Sequence, residues 1–162
     1  ITVNAGESES YGVEANLMAS LNRHLQLNAS YGYTHATFVK YNAGDNEDYS
    51  GNYVPFVPMH TLNVGGSYAF FFKDSWAQSL TLGANVTGAG KIYWTEANNA
   101  SQDFYATLNG YVSLKTKAIQ IDLWGRNLTD KQYTTFYFES MGSGFAQKCK
   151  PLQVGVDVRF HF

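Results

Sequence analysis

The sequence predicts an all-β protein: an antiparallel up-and-down transmembrane β-barrel segment of about seven long strands. Three observations predict it. Apolar and polar side chains alternate strictly through most of the 162 residues, the alternating runs are long, and the connections between them are alternately short and long. Helical periodicity is hard to find anywhere.

The first run places Tyr11, Val13, Ala15, Leu17, Ala19 and Leu21 on one face, with Gly12, Glu14, Asn16, Met18 and Ser20 between them. The second has Leu25, Leu27, Ala29, Tyr31 and Tyr33 against Gln26, Asn28, Ser30 and Gly32. The third carries Leu62 to Phe72 on even positions, and the fourth runs from Leu80 through Trp94. The fifth spans Phe104 to Lys115, the sixth Ile119 to Arg126, and the seventh Leu152 to Phe162. Most of these exceed the roughly 5–6 residues of an ordinary strand and match the roughly 9–11 that cross a bilayer at a tilt. Asn22–His24, Lys73–Ala77 and Thr116–Ala118 are short turns, whereas Tyr41–Met59, Ala97–Asp103 and Thr134–Lys150 are longer and rich in Gly, Asn, Ser and aromatics. Short turns at one end and long loops at the other are the layout of an outer-membrane barrel.

A soluble sheet also alternates, but its polar face should be rich in Lys and Glu. Here that face is mostly Thr, Ser, Asn, Gln and Gly, with Glu14, Lys91, Lys115, Asp122, Arg126, Asp157 and Arg159 as its charges. Charged residues make up only 15% of the chain and aromatics 16%, against roughly 25% charged in average globular chains. A charge facing lipid costs about 2–4 kcal/mol for Arg or Lys at mid-membrane, so the charged face is read as the inner one. Aromatics near strand ends (Tyr68, Phe70, Phe72 and Trp76 by one turn, Trp94 at the far end, Phe160 and Phe162 at the terminus) are read as two interfacial girdles. If the short turns are periplasmic, the seventh strand ends in the periplasm.

The same composition excludes other classes. A net charge of −2 gives no basic footprint, so no nucleic-acid partner is expected. The single Cys149 allows no internal disulfide and is read as incidental. His24, His35, His60 and His161 stand in no chelating spacing, so neither a metal nor a cofactor is implied. Gly88–Ala89–Gly90 lacks the helix of a nucleotide fingerprint, and Ser140–Gly144 is a flexible loop without the strand-to-helix turn of a nucleophile elbow. No enzymatic constellation is found. The chain begins at Ile1 without a basic stretch leading into an apolar one, so no signal peptide is expected within it.

The chain resembles the C-terminal barrel region of a TonB-dependent outer-membrane receptor. The resemblance is carried by Gly12–Val13–Glu14, by Val57–Pro58–Met59–His60–Thr61–Leu62, by Trp124–Gly125–Arg126–Asn127–Leu128–Thr129–Asp130–Lys131–Gln132–Tyr133, and by the close at Phe162. It implies a barrel commonly of 22 strands around a plug, with residues 1–162 as its C-terminal part and the plug and earlier strands elsewhere. It further implies outer-membrane uptake of a scarce ligand, a ferric siderophore before cobalamin or a glycan, with TonB, the plug, outer-membrane lipid and the barrel-assembly machinery as partners. A small complete barrel acting as adhesin or porin is the alternative.

Within this reading the loops are the place for ligand recognition, with Tyr49, Tyr53, Phe56, Phe136, Tyr137 and Phe145 as candidates because aromatic loops suit flat or amphipathic ligands. Asp45, Glu47, Asp48 and Phe138 lie among them. Gln153, Gly155, Val158, Phe160 and Phe162 resemble a C-terminal barrel-assembly signal. Seven strands leave two unpaired edges, since bacterial single-chain barrels close with even numbers. An isolated fragment is therefore expected to self-associate through those edges, unless residues 1–7 help to supply an eighth strand.

Overall fold

Side chains that alternate every second residue commit the backbone to extended chain, and extended chain in lipid must find its hydrogen bonds on neighbouring strands. A computed structural model, which describes residues 6–44 and 47–161, shows how this is met. Seven strands form one continuous sheet: β1 (Glu7–Ser20), β2 (Leu25–Lys40), β5 (His60–Phe71), β6 (Ala77–Gly90), β9 (Tyr105–Thr116), β10 (Ile119–Arg126) and β13 (Gln153–Phe160). The shorter strands β3 (Asn42–Gly44), β4 (Glu47–Asp48), β7 (Ile92–Tyr93), β8 (Ser101–Gln102), β11 (Thr134–Ser140) and β12 (Ser143–Lys148) lie in the long connections. The sheet order is β1-β2-β5-β6-β9-β10-β13, with each neighbour antiparallel to the one before it in the chain. It is an up-and-down meander, as the alternation predicts. Both β1 and β13 have one sheet partner among the described residues.

At one end the turns are tight, and side chains shape them. Asn22 Oδ1 accepts from the backbone N–H groups of His24 and Leu25 at 2.8 and 2.9 Å. Thr116 Oγ1 accepts from Ile119 N–H at 2.9 Å. Such short polar side chains give a turn its own hydrogen bonds in place of the ladder.

The register places the apolar residues of successive strands in rows. One row joins Leu17, Ala29, Val64, Val86 and Leu108, and another joins Tyr68, Leu82, Val112, Leu123 and Val156. Many members of these rows are solvent-exposed, including Leu17, Val64, Leu82, Leu123 and Val156. A broad exposed apolar face on a long sheet marks a surface made for an apolar environment. The rows end in aromatics: Tyr31, Tyr33 and His60 towards the long loops, Tyr68 and Phe70 towards the short turns. His60 and Phe70 sit on β5 about 33 Å apart along the strand at ~3.3 Å per residue, or about 25 Å along the normal at a ~40° tilt, the height of an outward apolar band.

The opposite face is built differently. Gly83 lies under the ring of Tyr111 on β9, and Gly155 lies under the ring of Trp124 on β10; a Cβ at either glycine would overlap the ring. Aromatic rings laid over glycines of the neighbouring strand pin the register. Polar residues join across the strands as well. Thr87 and Thr107 hydroxyls meet at 3.0 Å, and Asp122 accepts from Ser113 and Gln120 while pairing with Arg159 at 3.3 Å. Trp124 Nε1–H donates to Asp157 at 3.0 Å.

Several boundaries differ from the expectation. β1 begins at Glu7, opposite Lys40, so that residue extends the first strand rather than helping to form an eighth; residues 1–5 lie outside the described residues. β2 continues to Lys40. The fourth strand stops at Gly90 rather than running to Trp94, because Gly90 takes a φ of +125° at a point where a Cβ would meet the Phe104 backbone. Lys91 is consequently beyond the strand, beside Asp103 at 3.8 Å. Trp94 is buried under loop residues instead of forming a lipid-facing girdle. Thr134–Lys150 is largely the β11–β12 hairpin, and the stretch from Ser140 is its two-residue turn, with positive φ at both Met141 and Gly142 as a type I′ turn requires.

Two substitutions test these assignments. Val64→Arg, on the apolar face, should destabilise the lipid-embedded protein by about 2–4 kcal/mol in denaturant unfolding, whereas Asn63→Arg on the opposite face should cost far less. Gly155→Val should lift the Trp124 ring, lower stability by about 1–3 kcal/mol, and shift the tryptophan emission.

Candidate functional site: the aromatic loop end

The long connections converge beyond the ends of β2, β5, β6, β9 and β10, and backbone-directed amides hold them together. Asn98 is the principal tie between the first two. Its Oδ1 accepts from Tyr53 N–H at 2.7 Å, and its Nδ2 donates to the carbonyls of Tyr53 at 2.9 Å and Thr95 at 3.0 Å. Asn52 Nδ2 donates to the Glu96 carbonyl at 2.8 Å, and Phe56 N–H donates to the Tyr93 carbonyl at 2.8 Å. The third connection is attached through Gln102, whose Oε1 accepts from Thr134 N–H at 2.8 Å.

Aromatic rings fill the space between these ties. Phe56 stacks on Phe136 at 5.6 Å and tilts against Trp94 at 5.6 Å; the run continues through Phe138 to Phe145, which stack at 5.1 Å. Tyr53 stacks on Tyr93 at 5.2 Å and meets His35 edge-on. A cavity of about 440 Å³ opens over part of this floor, lined by Tyr49, Phe56, Trp94, Tyr137 and Phe138 together with Glu47, Glu96, Glu139 and Asn99. Tyr49 donates to Glu47 at 2.8 Å and Tyr137 to Glu139 at 3.0 Å. These hydrogen bonds, chiefly, hold both phenols above their ordinary pKa, with further contributions from burial and from nearby charges, Glu47 and Glu96 at Tyr49 and Glu139 at Tyr137. Hydrogen bonds from Ser50 hold Asp48 below the usual carboxylate value.

Of the six loop candidates, Tyr49, Phe56 and Tyr137 line one cavity, and Phe136 supports it through Phe56. Tyr53 turns instead to Tyr93 and His35, and Phe145 lies at the far end of the aromatic run. Asp45 lies outside the described residues. Glu96, Glu139 and Asn99 were not singled out by sequence as ligand candidates, and Trp94 was read as a girdle residue instead. A partial signal was present: Tyr137 and Glu139 are two positions apart on β11, so extended chain puts both on one side, whereas Glu96 lies in a turn after Trp94 that no periodicity records. Among the described residues no three His, Cys, Asp or Glu side chains stand close enough to share a metal ion.

Sheet, loops and aromatic floor can be set beside known proteins. The family model of TonB-dependent receptor-like β-barrels matches residues 1–128. The chain belongs to this family. It is 27% identical over 87% of its length to the ferrichrome outer membrane transporter and phage receptor of Escherichia coli K12, covering 19% of that protein. It is 31% identical over 73% of its length to the pesticin receptor of Yersinia pestis, covering 17% of it. The ferric yersiniabactin uptake receptor of Yersinia pestis superposes with a TM-score of 0.85 at 25% identity, over 98% of this chain and 24% of that one. The chain thus spans about a fifth of the length of the curated relatives it matches. These relatives are transport receptors, and the chain is a part of an outer-membrane wall.

Asn127–Tyr133, part of one segment that carries the receptor resemblance, proves to be a clasp. Buried Asn127, at a φ of 50°, donates through Nδ2 to the carbonyls of Lys131 and Lys150 and accepts from Lys131 N–H. Asp130 accepts from Leu152 N–H at 2.9 Å, Leu128 covers Gly125, and Tyr133 stacks on Tyr105 at 3.7 Å. Cys149 is buried beside it, its thiol directed to the Lys131 carbonyl at 3.2 Å. The segment therefore fixes both the exit from β10 and the entry to β13. On β13, Gln153 lies opposite Arg126, Gly155 opposite Trp124, Val158 opposite Ile121 and Phe160 opposite Ile119; Phe162 lies outside the described residues.

Asn98→Ala should expose residues 41–59 to limited proteolysis while the sheet stays intact. Asn127→Ala, which removes the side-chain hydrogen bonds to Lys131 and Lys150 at a buried position, should lower stability by about 1–3 kcal/mol in thermal unfolding. The two raised phenols supply a pH test. A raised acid holds its contribution below the ordinary value of 10.0 and loses it as pH rises through the raised one, so the Tyr–Glu contacts should persist at neutral pH and break only in strong alkali. Glu47→Gln and Glu139→Gln should move the late-ionising tyrosine absorbance back to lower pH.

Proposed function

We propose that residues 1–162 are the C-terminal barrel part of a TonB-dependent receptor that imports a ferric siderophore across the outer membrane. The chain supplies barrel wall and extracellular loops, and the plug and the energy coupling through TonB come from elsewhere in the receptor. Tight turns then face the periplasm, β13 ends there as the segment read by the barrel-assembly machinery, and its free edge meets the first strand of the whole barrel. The observation that carries this reading is the tied, aromatic-floored loop end on a sheet of receptor family geometry. Relatives named for ferrichrome and ferric yersiniabactin support iron chelates as the ligand class. Uptake needs no catalysis by this wall: binding, orientation and release suffice.

Deleting the gene that encodes this chain should abolish growth on a ferric siderophore as sole iron source, and the wild-type receptor should restore it. Phe56→Ala with Phe136→Ala should weaken ligand binding about tenfold, since a lost aromatic pair is worth roughly 0.5–1.5 kcal/mol beyond its area. Normal iron-limited growth with failed uptake of a corrinoid or glycan would overturn the ligand class.

A further inference from the structure

The cavity at the loop end has a charge character that the receptor reading does not explain. Each of three separate connections contributes a glutamate and, two positions away, an aromatic ring: Glu47 with Tyr49, Trp94 with Glu96, Tyr137 with Glu139. All six line the same cavity of about 440 Å³, and among the described residues neither Lys nor Arg lines it. The nearest basic group of the second connection, Lys91, is turned away to Asp103 and the Tyr93 ring.

Both kinds of lining group select the same sign of charge. The face of an aromatic ring is the negative lobe of its quadrupole and attracts a cation, most strongly when the ring is Trp and the site is dry. Trp94 is buried and held against Phe56. Glu47 and Glu139 are held at the cavity by the phenol hydrogens they accept from Tyr49 and Tyr137. An anion entering here meets three like charges and no compensating donor of positive charge. The volume falls in the range of small-molecule sites, roughly 300–1,000 Å³. Among the described residues the carboxylates are not drawn together closely enough to share a metal ion, which suits an organic cation with an apolar body better than a bare metal ion.

We propose that this cavity binds a positively charged arm, an ammonium or guanidinium, carried by the imported chelate. The proposal rests on the siderophore-uptake reading and narrows it to ligands whose ferric complex bears a cationic group. The rings of Trp94 and Phe56 take the apolar stem, and Glu47, Glu96 and Glu139 surround the charge.

The test uses the complete receptor purified in detergent and three iron complexes. One is a ferric linear trihydroxamate with a free terminal ammonium, whose net charge is a single plus. The second is the same complex with that amine acetylated, and hence neutral. The third is an anionic ferric tris-catecholate. The cationic complex should bind about tenfold tighter than its acetylated twin, with the advantage shrinking as salt rises. Glu47→Gln, Glu96→Gln and Glu139→Gln combined should erase the advantage, so that the cationic complex and its acetylated twin bind alike, with heat-modifiable gel mobility confirming the fold. Equal binding of all three, or preference for the tris-catecholate, overturns the cation site and leaves the uptake reading standing. If no iron complex binds but phenyltrimethylammonium does, in a glutamate-dependent way, the cation site stands and the uptake reading falls. Failure of both kinds of probe overturns the cation site.

Discussion

One constraint underlies everything else in this molecule: a strand in hydrocarbon cannot leave its backbone N–H and C=O groups without partners. The antiparallel ladder from β1 to β13 answers it, each long strand taking its partners from the strand beside it. That ladder permits only a period of two, so each residue faces either lipid or the interior of the barrel. Side-chain chemistry then follows from the face. Leu17, Val64, Leu82, Leu123 and Val156 are exposed because their solvent is not water.

On the inner face, where the hydrophobic effect of a packed core is missing, other devices fix the register. A one-residue slip would turn every side chain to the wrong face. Glycine seats under Tyr111 and Trp124, the paired threonines, and the Asp122 cluster across β9, β10 and β13 all oppose such a slip. The Asn127 clasp does the same at the loop end, where the ladder runs out and the chain must leave β10 and return as β13.

The loops are ordered by a different economy. Amide side chains, above all Asn98, replace ladder hydrogen bonds between connections that never pair as strands. Rings then fill the gaps, and the same rings that stabilise the loops against one another form the cavity floor. Structural packing and ligand recognition are therefore not separate roles here, since one aromatic surface serves both.

Much of this was legible in the residues. Alternation gave all seven long strands and their faces, because a period of two depends on local geometry alone. The loops resisted for a physical reason: their contacts join residues far apart in sequence, and no periodicity records them. Nothing around Trp94 announces that Phe56 will cover it, and Gly90 in an alternating run does not reveal that its φ of +125° ends the strand. The sequence by itself determined a membrane-spanning antiparallel wall, since face chemistry and strand length are written residue by residue. Only the tertiary structure decided which glutamates and rings share a cavity, because three loops meet there and their meeting depends on the sheet that holds them.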